Sequence, residues 1–314
     1  MICTLYNNSD DGSDDIEQYI WTCEETFSDA GIILLCDCIK EDKTRQQLNM
    51  SDNNITSEGA KCIAEAIKVN TTLQKLDING NNLSDDGATA ISECLKYNNS
   101  LQELNMSYNN ITSEGAKCIA EAIKVNTTLQ KLDIRGNKLS DDGATAISEC
   151  LKYNNSLQEL NMSYNNITSE GAKCIAEAIK VNTTLQKLDI GCNKLSDDGA
   201  TAISECLKYN NSLQELNMAG NNITSEGAKT IAEAIKVNTS LHTLNIYHYH
   251  LSNDDRPSFN MTILTAVHHN TTLMKLTLPL VSGDNKVKIT SEVEKINKER
   301  TRQDISTLTC YYSL

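Results

Sequence analysis

The residues best suited to chemistry are five histidines near the C-terminal end of the sequence: His242, His248, His250, His268 and His269. His248 and His250 stand two apart on a predicted strand, so both rings could hold a metal ion from one face. No cysteine or carboxylate stands at ligand spacing to complete such a site. We therefore interpret the histidines as exposed or end-cap residues, and we predict no metal and no other cofactor.

Motifs for covalent catalysis are absent from the sequence. It contains neither the G-x-S-x-G turn of a serine nucleophile nor a G-x-x-x-x-G-K-[ST] phosphate loop, which predicts that the chain is not an enzyme. Twelve cysteines occur, and six of them recur at a fixed spacing on predicted helices: Cys62, Cys94, Cys118, Cys150, Cys174 and Cys206. We interpret these six as reduced, buried thiols, whereas Cys192 at a strand end should be reactive.

The residue types suited to binding a partner lie at the few positions where near-identical internal repeats differ. The stretch LDINGNNLSDDG at Leu76 returns as LDIRGNKLSDDG at Leu132 and as LDIGCNKLSDDG at Leu188, with changes only at the strand end and its turn. Tyrosine and arginine are enriched at protein interfaces. We predict a partner-binding site formed by Tyr108, Arg135 and Tyr164, with Asp133, Lys138 and Lys194 as a charged rim.

Within this site, we expect the rings of Tyr108 and Tyr164 to flank a shallow slot above Gly136, which has no side chain. Sequence drift explains the variable positions as well as selection for binding does.

A repeat of 28 residues must position these side chains. Leucines at 48, 76, 104, 132, 160, 188, 216 and 244 open successive units of the form L-x-x-L-x-L-x-x-N-x-L. Alternation within the first part of each unit predicts a short strand with one buried face. The recurring asparagine should be buried and should bond the backbone of neighbouring turns. These residues are Asn53, Asn81, Asn109, Asn137, Asn165, Asn193 and Asn221.

The second part of each unit has helical spacing. In the repeat that begins at Leu76, we predict a helix over Gly87–Tyr97, with Ser84 as its N-cap and Asp85 and Asp86 as first-turn acids. A single unit cannot bury both its strand and its helix, so the units must stack. The sequence predicts an α/β solenoid with parallel strands on the concave side and helices on the convex side.

The pattern LxxLxLxxNxL, followed by GAKCIAEAI or GATAISECL, resembles the leucine-rich repeats of the ribonuclease-inhibitor subfamily, the type found in NOD-like receptors. The resemblance covers about residues 20–280 and implies a leucine-rich-repeat horseshoe that binds protein partners on its concave face and has no catalytic activity. It also implies a link to innate immunity.

The resemblance and the composition together predict three segments. Residues 1–19 form an acidic, flexible N-terminal segment; residues 20–280 form the repeat array, whose first and last units act as caps; residues 281–314 form a capping helix and a tail. Large apolar residues absent from the inner units, Trp21 and Phe27, support a cap at the beginning.

The formal net charge of −14 disfavours nucleic acid and anionic membranes as partners, because both attract cationic proteins. We predict a protein partner, with a basic one favoured by this charge, and a cytoplasmic location, because no secretory signal is visible. The oligomeric state is left open. Two alternative functions are a GTPase-activating regulator of a small GTPase and an acidic inhibitor of a basic enzyme.

Overall fold

Short strands and helices alternate along the chain in a computed structural model that describes residues 4–6, 20–22, 29–248, 251–252, 254–279, 283–303 and 307–312. The strands are β1 Thr4–Tyr6, β2 Ile20–Thr22, β3 Gln47–Asn49, β4 Lys75–Asp77, β5 Glu103–Asn105, β6 Lys131–Asp133, β7 Glu159–Asn161, β8 Lys187–Asp189, β9 Glu215–Asn217, β10 Thr243–Asn245, β11 Lys275–Leu278 and β12 Thr309–Tyr312. The helices are α1 Asp29–Glu41, α2 Ser57–Val69, α3 Ser84–Leu95, α4 Ser113–Val125, α5 Ser140–Leu151, α6 Ser169–Val181, α7 Ser196–Leu207, α8 Ser225–Val237, α9 Asp255–Val267 and α10 Gly283–Arg302.

The chain divides into two compact parts, which are called the first unit and the second unit below; in every other use, a unit is one 28-residue repeat. The first comprises Met1–Leu139 and Tyr153–Asn161, and its strands β2 to β7 pair in parallel in chain order, with β1 antiparallel to β2. The second comprises Ser140–Lys152 and Met162–Leu314, and its strands β8 to β12 are also parallel neighbours. Parallel strands joined by helices confirm the predicted α/β leucine-rich-repeat solenoid.

The two ends of the sequence also carry strands. Strand β1 lies within residues 1–19, and β12 lies in the segment predicted as a tail, where it pairs with β11. The acidic residues predicted to make the N-terminal segment flexible lie outside the described residues, as does Phe27. The side chain of Trp21 is also outside the described part of the structure.

Strands β3 to β10 place their middle residue in the core. Leu76 is 2% exposed, and Ile78, two residues further on, is fully buried. From the helix side, Ile91 and Leu95 of α3 close the same core and are fully buried. Strand and helix side chains therefore form one apolar layer within each unit. Burial of each such side chain stabilises the fold by about 1.5–3 kcal/mol.

Seven asparagines form a strand-end ladder, and each is at most 5% exposed. In Asn81, Nδ2 donates to the carbonyl oxygens of Met50 and Ile78 at 3.0 Å each, and Oδ1 accepts from the Ile55 N–H at 3.1 Å. One amide therefore satisfies backbone groups of two adjacent units. The ladder consists of Asn53, Asn81, Asn109, Asn137, Asn165, Asn193 and Asn221.

A second ladder, at the helix ends, was not predicted. Asn98 is 3% exposed, and its Nδ2 donates to the carbonyl oxygens of Ile67, at 2.6 Å, and Asn70, at 3.2 Å. Its Oδ1 accepts from the Leu101 N–H at 2.8 Å, which fixes the turn into the next strand. The helix-end ladder consists of Asn70, Asn98, Asn126, Asn154, Asn182, Asn210, Asn238 and Asn270.

Helix α10 closes the second unit with a buried cation. The Arg300 guanidinium donates to the carbonyl oxygens of Leu273 and Asn270 at 2.6 Å each, in the place where another repeat would supply an asparagine. Burial lowers the pKa of Arg300. The same helix contacts α9 through His268, whose ring nitrogens face the carboxylates of Glu292 and Glu299. Arg300 thus ends the helix-end ladder.

The predicted N-cap at Ser84 is wrong. Ser84 has a left-handed backbone (φ +54°) and is already the first residue of α3, and Leu83 before it makes no side-chain cap. The Ser84 N–H donates instead to the carbonyl oxygen of Asn109 at 3.0 Å. The chain therefore turns into α3 through a bond to the next unit.

Asp85 caps the helix of the following unit rather than its own. Its Oδ1 accepts from the N–H groups of Thr112, at 2.7 Å, and Gly115, at 3.0 Å, and its Oδ2 accepts from the Thr112 hydroxyl at 2.7 Å. Thr112 in turn accepts from the Glu114 N–H. The carboxylate therefore faces the positive end of α4. The equivalent acids bonded to a threonine of the next unit are Asp29, Asp141 and Asp197.

The repeat cysteines differ in burial. Cys94, Cys150 and Cys206 are each 3% exposed, as predicted. The other three are half-buried, so for them the prediction is wrong. Their position lies at the flank between neighbouring helices, where a hydroxyl such as that of Thr89 donates to the Cys118 sulfur at 3.3 Å. The half-buried residues are Cys62, Cys118 and Cys174.

We expect Asp85→Ala to lower the free energy of unfolding by about 2 kcal/mol, because three bonds to an ionised acceptor are lost at a helix end. Asp86→Ala is the control, since the neighbouring Asp86 is exposed; it should change stability by less than about 0.5 kcal/mol. Urea titration followed by circular dichroism measures both. Equal losses would contradict the cap between units.

Burial raises the pKa of the Cys94 thiol to about 12, so its reactive thiolate is scarce at pH 8. We expect N-ethylmaleimide to modify the exposed Cys38 at least about tenfold faster than Cys94 in the native protein. Peptide mapping after timed labelling gives both rates. Denaturant should bring the two rates together; similar rates without it would show that Cys94 is accessible.

Candidate functional site

The open face of the sheet is the side turned away from the helices, where the first and third residues of each strand lie. From β4 to β9, the first residues alternate between lysine and glutamate. In the first unit, Lys131 Nζ lies 3.5 Å from carboxylate oxygens of both Glu103 and Glu159, and in the second unit Lys187 lies 3.3 Å from Glu215. These charges pair with each other along the sheet. They therefore keep the open face soluble but leave little unpaired charge there for a partner.

The third strand residues alternate between aspartate and asparagine and also pair. Asn161 Nδ2 donates to Asp133 Oδ2 at 3.2 Å, and in the second unit Asn217 donates to Asp189 at 2.9 Å. Asp133 Oδ1 accepts from the backbone N–H of Arg135 at 2.9 Å. Asp133 therefore holds the backbone of Arg135, and its role as a rim residue stays a prediction.

Just beyond the strands, one position in each of seven successive repeats has a left-handed backbone, with φ between +51° and +69°. Glycine fits this conformation without strain, whereas a bulky side chain there is an outlier. Tyr108 at φ +53° and Tyr164 at φ +56° are the two bulky exceptions. The full set is Asp52, Gly80, Tyr108, Gly136, Tyr164, Cys192 and Gly220.

Tyr108 and Arg135 form the candidate site in the first unit. The guanidinium carbon of Arg135 lies 5.5 Å from the centroid of the Tyr108 ring, in the range of a cation–π contact. The ring lies against Gly136, because a Cβ atom added there would overlap it. The predicted slot above Gly136 is therefore wrong: the left-handed backbone directs the Tyr108 ring into that space.

The remaining predicted residues are more dispersed. Lys138 is exposed on the segment that leaves the strand, where its N–H donates to the Ile111 carbonyl oxygen at 2.7 Å. Tyr164 and Lys194 belong to the second unit, where the Tyr164 N–H donates to the Gly191 carbonyl oxygen at 3.0 Å. Gly191 occupies the position equivalent to Arg135, so Tyr164 has no arginine beside it at that position.

A further group of exposed aromatic residues lies at the helix ends and was missed by sequence reasoning. Tyr97 is 64% exposed, and the ammonium group of Lys68 lies 5.4 Å from its ring centroid. Tyr153 and Tyr209 repeat this contact with Lys124 and Lys180. The recurrence of tyrosine in alternate units, at K-Y-N, was the available signal.

No group of three or more metal-binding side chains occurs among the residues that the structure describes. His248 is buried, so of the two predicted roles the exposed one is wrong for this residue and the end-cap one stays a prediction. His250 lies outside the described residues. Within the described segments, none of the helices has the length and apolar character needed to span a bilayer.

We expect Tyr108→Gly to change the free energy of unfolding by no more than about 1 kcal/mol, because relief of the left-handed backbone offsets the lost ring contact. Tyr97→Gly is a matched control: Tyr97 is also exposed, but its backbone is not left-handed, so glycine should cost about 1 kcal/mol there. Chemical denaturation measures both. A loss above about 2 kcal/mol for Tyr108→Gly would assign the ring a structural role.

Comparison with known proteins supports the repeat assignment. A family model described as "Leucine Rich repeat" matches residues 46–64, 69–92, 97–120, 125–148 and 153–176, and one described as "TMOD/LMOD Leucine-rich domain" matches residues 172–299. No curated protein matches the chain. None of these descriptions names the ribonuclease-inhibitor subfamily or a NOD-like receptor, so that part of the resemblance stays a prediction.

Two similar solved structures have low sequence identity. The structure titled "Leiomodin-1 Actin-Binding Site 2 (ABS2)" is 24% identical over 46% of this chain and 84% of its own, with a TM-score of 0.41. The tropomodulin C-terminal domain of Caenorhabditis elegans is 19% identical over 51% of this chain and 96% of its own, with a TM-score of 0.42. From its matched repeats, its strand–helix units and its asparagine ladders, the chain is a leucine-rich-repeat array.

Proposed function

We propose that the chain is a non-catalytic protein-interaction scaffold that binds a partner protein on the open face of its sheet, at Tyr108 and Arg135. The observation that carries this proposal is the backbone of Tyr108. Its side chain is 48% exposed, yet its φ of +53° costs roughly 1 kcal/mol for a residue with a side chain. Glycine fills the same position in Gly80 and Gly136. A strained, exposed aromatic residue that contributes little to the core is typical of a functional position.

The chemistry of the pair supports the same proposal. Tyrosine and arginine combine a large contact area with a polar end, and they dominate the binding energy of many interfaces. The lysine and glutamate side chains around them already pair along the sheet, so a partner meets a polar rim around one aromatic anchor. In the second unit, Tyr164 is 52% exposed and, together with Lys194, offers a further contact.

A NOD-like-receptor role, with a link to innate immunity, is one form of this scaffold. Regulation of a small GTPase and inhibition of a basic enzyme are other forms, and no described feature favours either. A cytoplasmic location and a basic partner are parts of the proposal that rest on composition. The identity of the captured partner distinguishes these forms.

Affinity capture from cell extract with the full chain tests the proposal. We expect Tyr108→Gly and Arg135→Asn each to weaken partner binding about tenfold, or ~1.4 kcal/mol, measured by titration of the captured protein. Asparagine occupies the position equivalent to Arg135 in the unit of Asn79, so this change keeps a residue the fold accepts.

Tyr97→Asn serves as the control, because it removes from the helix ends a tyrosine that is even more exposed than Tyr108. Its binding should be unchanged. If Tyr97→Asn abolishes capture while both open-face variants bind normally, the partner contacts the helix ends and the proposed site is wrong.

A further inference from the structure

Arg135 is the one charged residue at its position in the inner units, two residues beyond the end of a strand on the open face. The other units place small or amide side chains there. The equivalents are Asn79, Ser107, Ser163, Gly191 and Ala219. A single unit thus adds a cation to a position that the others leave uncharged.

The hydrogen-bond donors of this guanidinium are largely unused. The nearest carboxylate oxygen, Asp133 Oδ2, lies 4.0 Å from Nη2, which is too long for a hydrogen bond. The Nε atom is sealed from solvent and has no hydrogen-bond partner in the described part of the chain. The side chain is 40% exposed and lies over the Tyr108 ring. The Tyr108 ring therefore packs against an arginine side chain that is partly open to solvent.

The charges around Arg135 are already committed. Lys131 lies between Glu103 and Glu159, and both carboxylate oxygens of Asp133 accept hydrogen bonds from Asn161 or from the Arg135 backbone. These acids are thus partly neutralised by neighbours on the sheet. An incoming anion meets Arg135 as a cation with free donor capacity.

We propose that Arg135, held on the Tyr108 ring, binds the carboxylate of an aspartate or glutamate side chain of the partner protein. Guanidinium and carboxylate form charge-assisted hydrogen bonds with matching planar geometry. The ring restrains the arginine before binding, which lowers the entropy lost on contact. This inference rests on the proposed function and deepens it, because the anchoring residue of the partner is acidic even though the net charge of −14 favours a basic partner overall.

Both members of the pair are needed, and the array provides natural contrasts. Asp52 and Asn79, which occupy the two equivalent positions one pair of repeats earlier, provide neither the ring nor the cation. In the second unit, Tyr164 retains the ring, but Gly191 stands where the arginine would be. We therefore expect one carboxylate receptor among the inner units, at Arg135.

Nuclear magnetic resonance of the full chain labelled with 15N-arginine tests the proposal, because the sequence contains only five arginines. Arg135→Asn assigns the Arg135 side-chain signal. The probes are N-acetyl-glutamate amide for a side-chain carboxylate, N-acetyl-alanine for a chain-terminal carboxylate and N-acetyl-lysine methylamide for a cation. We expect the glutamate probe to shift the Arg135 Nε–H signal with a dissociation constant on the order of 10 mM, and the lysine probe to leave it unchanged.

Tyr108→Gly should raise the dissociation constant of the glutamate probe at least threefold, whereas Tyr97→Gly should leave it unchanged. An Arg135 signal that no carboxylate shifts would overturn the proposal, as would an equal shift with the lysine probe. A shift with N-acetyl-alanine alone would mean that Arg135 binds a C-terminal carboxylate, and it would overturn the assignment to an aspartate or glutamate side chain.

The two proposals fail separately. A protein captured through Tyr108 together with an unshifted Arg135 would overturn the carboxylate receptor alone. A carboxylate-dependent shift with no protein captured would contradict the scaffold function alone.

Discussion

Satisfaction of buried backbone groups at the two turns of every unit is the constraint on which the rest of the structure depends. Strands of three residues leave most peptide groups of a unit outside any strand pairing, and an unpaired buried group costs about 1–3 kcal/mol. Asparagine amides solve this at the strand end, as in Asn81, and at the helix end, as in Asn98. Because each amide also bonds the preceding unit, the bonds that satisfy a turn fix the stacking of its neighbour.

This constraint also explains where sequence variation is accepted. The ladders and the leucine core constrain the inside of a unit, and the three copies that begin at Leu76, Leu132 and Leu188 differ only at the strand end and its turn. There the backbone is already fixed in a left-handed turn by bonds such as that from the Tyr108 N–H to the Arg135 carbonyl oxygen, at 2.8 Å. A side chain placed on this rigid turn projects in a defined direction. Tyr108 therefore presents its ring with little conformational freedom, as an interface anchor should.

Much of the fold could be predicted from the sequence, because two periodicities are explicit in it. Alternation identified the buried Leu76 and Ile78, and the 28-residue spacing identified the strand-end asparagines. The role of Asp85 could not be predicted in this way, since its partner Thr112 is 27 residues away and local rules favour a cap within one helix. The helix-end asparagines were equally periodic, but each begins a polar stretch, such as NTT at Asn70 or NNS at Asn98, of a kind that is typical of loops.

The candidate site was predicted in composition and not in geometry. Tyr108 and Arg135 were recognisable as interface residue types, whereas their stacking depends on a positive φ that sequence rules assign to glycine. Cys62 and its equivalents show the same difficulty. Their helical position suggested burial, but the spacing between neighbouring helices, which leaves them half-buried, is a tertiary property.

The alternation of two unit types has a consequence for how such a gene can change in length. Lys75 pairs on the sheet with Glu103 of the next unit, and Asp85 bonds Thr112 of the next unit. Each contact between neighbouring units therefore requires one unit of each type. Loss of a single unit of 28 residues would bring like charges side by side and leave a threonine without its aspartate. Gain or loss of 56 residues restores every joint. Unequal recombination between the near-identical copies should therefore yield viable proteins in steps of two units, and the number of tyrosines at the left-handed position would change whenever a step includes Tyr108 or Tyr164.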